Sequence, residues 1–291
     1  MDKRRSNKNR RYLRLIDKNY RYHVFQILLK FEQSNKHLKF VRNTYFDRNN
    51  LTQQQKSRSF VLTNEVIRLK RRLDYWIDKN LDKSIEKLNP RVLQILRLGY
   101  YESVIDNSVP SYAAVNSWVE LSKKIFNKKI AGLINAVLRK STNINPNQKD
   151  NNQTIGSWYS YPDWLIADWT KKYGENKTIG LCNWYNLPTY TDIRINSNFK
   201  NFKKFISDLA IENKNSPFSN RFIRIESGIK EIISSKYFKS GYINVQDRAS
   251  GAIVELLSPS KHSTVLDVCA APGSKSIYLL KFLLLNEHII E

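Results

Sequence analysis

Residues 263–276 read STVLDVCAAPGSKS, and their order suggests a ligand-binding corner. Val265, Leu266 and Val268 form a continuous apolar run, as in a strand buried on both faces of a parallel sheet. Ala270, Ala271 and Gly273 are small enough to let a ligand approach the backbone. Pro272 fixes the loop, and Ser274 can cap a helix over Lys275–Leu285. Strand, small-residue loop and helix N-terminus make the cofactor corner of a Rossmann-like sheet, where free backbone N–H groups face the ligand. There is no GxGxxG and no GxxxxGK followed by Ser or Thr, which disfavours dinucleotide and P-loop nucleotide binding. The two cysteines, Cys182 and Cys269, lie too far apart for a disulfide framework or a metal-ligand spacing. They fit a reducing cytoplasm, and no metal is expected.

These residues need elements to position them. Gly241–Asp247 (GYINVQD) reads as a turn and short strand. Arg248–Leu257 (RASGAIVELL) reads as a helix ended by Pro259, with Ala249, Ala252, Ile253, Leu256 and Leu257 facing inward. A second strand is expected to begin at His288–Glu291. Upstream, Thr191–Asn196 and Arg221–Ile225 alternate in polarity as half-buried strands do. Between them Phe199, Phe202, Phe205, Ile206 and Leu209 recur at helical spacing. Tyr161-Pro162-Asp163-Trp164 opens a further helix, with Leu165, Ile166 and Trp169 inside and Gly174 as its stop. The order helix, strand, helix, strand predicts a small α+β layer. Its aromatics, Trp158, Tyr159, Tyr161, Trp164, Trp169, Trp184, Tyr185 and Tyr190, are either core or platforms for stacking bases. Cys182 reads as a small buried residue.

The first half reads as helices throughout. Val24, Ile27, Leu28 and Phe31 recur at helical spacing from Tyr20. A second helix is expected over Ser59–Lys79, with Leu62, Val66, Leu69, Leu73 and Trp76 on one stripe and Arg68, Lys70, Arg71 and Arg72 on the other. Asn89-Pro90 starts a helix that buries Val92, Ile95, Leu96 and Tyr100. Pro110-Ser111 starts the next, with Ala114, Trp118 and Leu121 inside. A last helix carries Ile130, Leu133, Ile134, Val137 and Leu138. Ser141–Gln153 is polar and without period, so it reads as a linker.

Composition bounds the partners. In 291 residues, 41% hydrophobic and 26% charged residues support a packed core and exclude a mostly disordered polymer. Lys and Arg number 49 against 26 Asp and Glu, so the formal net charge is 49 − 26 = +23. A surface this basic captures polyanions, nucleic acid above all. The Lys/Arg run in residues 3–14 is either a solvated tail or an arm along phosphates. The N-terminus lacks the apolar stretch of a secretory signal. The longest apolar run, Ile277–Leu285, carries Lys281 and is well short of the roughly 20 residues of a membrane span.

Two resemblances sharpen this. Leu88–Glu102 (LNPRVLQILRLGYYE), Val109–Lys124 (VPSYAAVNSWVELSKK) and Ile130–Lys140 (IAGLINAVLRK), in this order, resemble the NusB-like RNA-binding fold. VLDVCAAPGSKS resembles the first cofactor motif of RNA cytosine carbon-5 methyltransferases, and VQDRASGAIVELL resembles their lead-in to it. The whole order resembles the Sun/RsmB-type small-subunit rRNA methyltransferases. That implies a multidomain chain: a basic tail at 1–19, an all-α NusB-like bundle at 20–140 and a linker at 141–157. A small α+β module at 158–238 and the start of a Rossmann-like α/β methyltransferase domain at 239–291 would follow.

The resemblance implies S-adenosyl-L-methionine as cofactor, small-subunit rRNA as substrate and a cytoplasmic protein. It implies that Cys269, Ala270, Ala271, Pro272, Gly273, Ser274 and Lys275 line the methionine and ribose side of the cofactor, with Asp267 supporting the loop. The family often has Gly where Ser274 stands and Thr where Ser276 stands. Methyl transfer to carbon-5 of cytosine uses a cysteine thiolate that attacks carbon-6, with a second cysteine assisting elimination. In the family these lie in Pro-Cys and Thr-Cys motifs beyond the first cofactor motif. Neither motif occurs in this chain, so the expected nucleophile lies beyond Glu291, the chain is expected to be C-terminally truncated, and no catalytic residue is assigned. The acidic residue that grips the ribose is expected at or after the same end. Two further readings stay open: a non-catalytic NusB-like RNA-binding protein acting in transcription antitermination, and an inactive truncated product.

Overall fold

The structure, a computed structural model, describes residues 19–196, 201, 204, 205, 207, 213–215, 219–226 and 228–283. The chain divides into two compact units, residues 1–186 and 187–291.

The first unit is helical. Its helices are α1 (Tyr20–Glu32), α2 (Leu38–Arg48), α3 (Gln53–Arg68), α4 (Lys70–Lys79), α5 (Pro90–Tyr100), α6 (Ser111–Ile125), α7 (Lys128–Ser141), α8 (Ile155–Tyr159), α9 (Asp163–Tyr173) and α10 (Glu175–Asn186). Local chemistry sets the helix starts. Asn89 caps α5 by accepting from the Arg91 N–H at 2.9 Å, with Pro90 as the first helical residue. Asn127 caps α7 through the Ile130 N–H, and Thr52 with Gln55 forms a capping box at α3. The core joins α1, α3, α4, α5, α6 and α7 through side chains such as Val24, Leu28, Leu62, Leu73, Ile95, Trp118 and Leu138. Of the residues expected inside, Phe31 and Ile130 are half-buried and Leu133 is exposed.

The single helix expected over Ser59–Lys79 is two. The stripe Leu62, Val66, Leu69, Leu73, Trp76 is buried as expected, but the helix breaks at Leu69. The Arg71 N–H donates to Ser160 Oγ at 2.9 Å, so a side chain from between α8 and α9 competes with the helical ladder at this point. The basic run beyond the break is internal glue. Arg71 also donates to Tyr161 O and pairs with Asp163. Arg68 reaches Asn186 at 3.1 Å. Arg72 lies 3.5 Å over the Trp158 ring and donates to Pro146 O; burial pulls its pKa down to about 10. Lys79 pairs with Asp150, so the polar stretch 141–153 is tied to α4 at two points. The Lys/Arg run at 3–14 lies outside the described residues.

A fully buried carboxylate sits in the middle of this unit. Tyr101–Ile105 continues α5 as a wider π turn and carries Glu102 inward. Glu102 accepts from Arg21 Nε (2.6 Å), Trp118 Nε1 (2.6 Å), Tyr20 Oη (2.7 Å) and Arg58 Nη2 (2.9 Å). Burial, then Glu102, pushes the Tyr20 hydroxyl up to about 12.

The second unit is a four-stranded antiparallel sheet in the order β2-β3-β1-β4, formed by β1 (Thr191–Ile195), β2 (Asn213–Asn215), β3 (Phe222–Ile225) and β4 (Ile243–Val245). Its helices are α11 (Ile229–Ser234), α12 (Lys236–Lys239), α13 (Arg248–Leu257) and α14 (Ser274–Leu283). One sheet face packs Ile193, Ile223, Ile225 and Ile243 against Phe205 and Ile232. The register puts Asp192, Arg194 and Arg224 on the other face with Phe222, the face where Phe222 meets Val254 of α13 and Tyr278 of α14. Phe199, Phe202, Ile206 and Leu209, expected on one helix with Phe205, lie outside the described residues, as does His288–Glu291.

Three expectations are corrected here. Val265–Val268 is not a strand: Leu266 and Val268 are 84% and 83% exposed, and no other strand pairs with them among the described residues. An apolar run becomes a buried parallel strand only between neighbours that satisfy its N–H and C=O groups. The expected start of a Rossmann-like sheet is therefore not seen among the described residues: residues 258–273 run as a loop into α14. Helix α13 turns the other way, with Gly251 and Val254 buried and Ile253, Leu256 and Leu257 exposed. The close fit of Phe222 on Gly251 decides that face, since a Cβ there would overlap the ring. Leu165, Ile166 and Trp169 of α9 are half-buried; the stop at Gly174 stands, with φ +80°.

Candidate functional site

The loop between α13 and α14 holds the residues singled out for cofactor binding, and both flanking helices are tied down. At the start of α13, Asp192 is the anchor. It accepts from Arg224 Nε at 3.1 Å and from Arg248 Nη2 at 2.8 Å, and the Arg248 backbone N–H lies 3.3 Å away. Burial alone would raise the Asp192 pKa; the bonds from Arg248 and Arg224 outweigh it and hold the carboxyl below the usual carboxylate range. Asp247 caps α13 through the N–H groups of Ala249 and Ser250. On α14, the Tyr278 hydroxyl donates to Glu255 at 2.5 Å, and Ser219 donates to the same carboxylate at 2.9 Å. Burial, then Glu255, pushes the Tyr278 hydroxyl up to about 12. Arg194 lies 4.1 Å over the Tyr278 ring.

Inside the loop Asp267 has the central place. Its Oδ1 accepts from the Cys269 N–H at 3.1 Å and its Oδ2 from Ser276 Oγ at 2.7 Å. One carboxylate thus links the start of the loop to the first turn of α14. The Gly273 N–H turns back to Ala270 O, and Gly273 has φ +104°, which favours glycine. Helix α14 begins at Ser274, so that serine is the first helical residue and not the cap. Cys269, Ala270, Ala271 and Pro272 are exposed; Gly273, Ser274 and Lys275 are half-buried.

This arrangement suits a polar ligand with an anionic group. The small side chains leave backbone open, and a Cβ at Gly273 would meet nothing closer than Ile277 at 3.9 Å. The unsatisfied N–H groups of the first turn of α14 favour negative charge. Of the two thiols, Cys269 is exposed in this loop and Cys182 is buried in α10, where burial raises its pKa. No group of His, Cys, Asp and Glu among the described residues has the arrangement of a metal site.

Motif reading missed Asp192, Glu255 and Tyr278. The only sequence signal for Asp192 is its polar position in the alternation TDIRIN, and solvent would satisfy that position equally well.

Comparison with known proteins agrees with the sequence resemblances. Residues 18–143 match the NusB family. Over 89% of its length the chain is 26% identical to "Probable ribosomal RNA small subunit methyltransferase B" of Bacillus subtilis (strain 168), covering 59% of that protein. Over 75% of its length it is 28% identical to the protein of the same name from Synechocystis sp., covering 50% of it. The chain thus spans 50–59% of the length of these relatives. The crystal structure of PH0851 shares the fold, with a TM-score of 0.59 and 18% identity over 89% of this chain and 60% of that one. No helix among the described residues is long and apolar enough to cross a membrane.

Proposed function

From a NusB-family domain at residues 18–143 and a relationship to ribosomal RNA small subunit methyltransferase B along most of the chain, we propose that this protein serves S-adenosylmethionine-dependent methylation of cytosine carbon-5 in small-subunit rRNA. The observation that carries the reading is the loop Cys269–Lys275, braced by Asp267 and opening onto the N-terminus of α14. Cys269, Ala270, Ala271, Pro272, Gly273, Ser274 and Lys275 would hold the cofactor, which supplies an electrophilic methyl group when bound. Asp267 keeps the loop backbone turned outward, and the first turn of α14 offers N–H groups to a carboxylate. The bundle and the basic surface hold the RNA, in a cytoplasmic setting. No residue of the chain is assigned as the nucleophile: Cys269 belongs to the cofactor loop and Cys182 is buried in the helical unit. The domain limits at 140, 157 and 238 belong to the same proposal.

Equilibrium dialysis with labelled S-adenosylmethionine tests the loop. Saturable binding that falls at least tenfold in Asp267→Ala and Gly273→Val is expected. No saturable binding, or binding indifferent to both changes, overturns the cofactor reading. The NusB-family match at residues 18–143 also supports a second reading, RNA binding without the cofactor; RNA binding by a chain that ignores the cofactor would establish it.

A further inference from the structure

The helical hairpin α9–α10 carries an aromatic groove to which the loop chemistry gives no role. The two helices turn back on each other at Gly174 and leave an open groove of about 540 Å³. Trp169, Tyr173, Lys177, Gly180, Trp184 and Tyr185 line it. Trp184 and Tyr185 are 62% and 61% exposed, so most of their ring surface is in water. Trp169 and Tyr185 already stack on each other, with centroids 6.0 Å apart and planes at 27°. Gly180 lies mid-helix, where glycine costs about 1 kcal/mol against alanine, and a Cβ there meets nothing within 4 Å. The groove is therefore open at its middle.

Charge selects the occupant. Lys177 lines the groove and Lys171 lies in the last turn of α9, and neither has an ion-pair partner among the described residues. Asp168 is taken up by Lys172 at 3.0 Å and Asp163 by Arg71, which leaves Glu175 as the unpaired acid of the hairpin among the described residues. Exposed rings beside free lysines, on a chain of net charge +23, match a ligand with flat apolar faces on an anionic backbone. We propose that the α9–α10 groove is a stacking platform for unpaired bases of single-stranded RNA, with Lys177 on a phosphate. This deepens the function proposed above and rests on its RNA substrate, but it needs no cofactor.

The test is fluorescence anisotropy of the whole chain with a short labelled oligouridylate, without S-adenosylmethionine, across a salt series. Trp184→Ala and Tyr185→Ala are expected to weaken binding roughly 5- to 100-fold each, the loss of one stacked base, with an unchanged salt slope. Gly180→Leu, which fills the groove and favours the helix, is expected to weaken it as much while circular dichroism stays at wild-type level. Lys177→Ala is expected to lower the slope of log affinity against log salt by about 0.7. Wild-type affinity in Gly180→Leu and Trp184→Ala overturns the proposal. So does equal affinity for the duplexed oligonucleotide, or loss of self-association on the same substitutions with RNA affinity intact, which would assign the groove to a second copy. Failure of the cofactor dialysis leaves this result readable.

Discussion

In the helical unit, Glu102 lies beneath Trp118 and Tyr20 with four side-chain donors, and a continuous apolar core surrounds it. In the second unit, Asp192 lies on one face of a thin sheet and is held by Arg224 and Arg248. The cores around it are small: Ile193, Ile223, Ile225 and Ile243 with Phe205 and Ile232 on one face, and Phe222, Val254, Tyr278 and Leu279 on the other. The first unit is closed by apolar packing, and its carboxylate joins α1, α3 and α6. The second depends on polar ties to seat α13 and α14, while Ile253, Leu256, Leu266 and Val268 stay exposed. A carboxylate hub can thus specify a packed core or substitute for part of one.

Four substitutions break or sharpen this contrast. The largest effect is expected for Glu102→Ala, which strands the Arg21 guanidinium in the core and leaves Arg58 with Asp106 alone; loss of about 3–5 kcal/mol by urea denaturation is expected. A loss under about 1 kcal/mol would show that the hub is dispensable. Asp192→Asn is expected to act on the second unit alone, so that limited trypsin digestion removes residues beyond 187 and leaves the bundle. The same residue sets a pH dependence. Its folded pKa is depressed, so its contribution is complete above the unfolded value near 3.9 and is lost as pH falls through the lower folded value. Acid unfolding of the second unit below about pH 4 should therefore lose part of its steepness in Asp192→Asn.

Next in size is Gly251→Ala, where the new methyl meets the Phe222 ring; a loss of roughly 1–3 kcal/mol from overpacking is expected. The smallest effect has the opposite sign. Gly132 is exposed on α7, and a Cβ added there would meet nothing within 4 Å, so Gly132→Ala should gain up to about 1 kcal/mol in the same denaturation assay. Independently of any substitution, protease should cut first in the exposed segment between Ser258 and Gly273; full resistance there would mean that the loop is braced beyond what Asp267 explains.

Much of the helical unit was legible because helix period and caps are local. Asn89-Pro90, the Leu62 to Trp76 stripe and the stop at Gly174 all stand. The break at Leu69 was not legible, since it depends on the bond from Arg71 to Ser160, 89 positions further along the chain. The loop residues were singled out by their types and order alone; the structure adds that Cys269–Pro272 are exposed and that Asp267 braces the turn. The strand Val265–Val268 was misread because an apolar run announces burial without naming what covers it.

The sequence by itself determined the helices of the bundle, the strands at 191–195 and 222–225, the basic charge and the small-residue loop before α14, all of which depend on neighbours a few residues away. Only the tertiary structure decided that Arg68, Arg71 and Arg72 bind α8–α10 and their flanks instead of facing solvent, that α13 buries Gly251 and not Ile253, and that Asp192 and Glu102 are buried hubs. A charged side chain gains comparable free energy from water or from a buried partner, so its sequence neighbours cannot reveal which one it meets; long-range packing makes that choice.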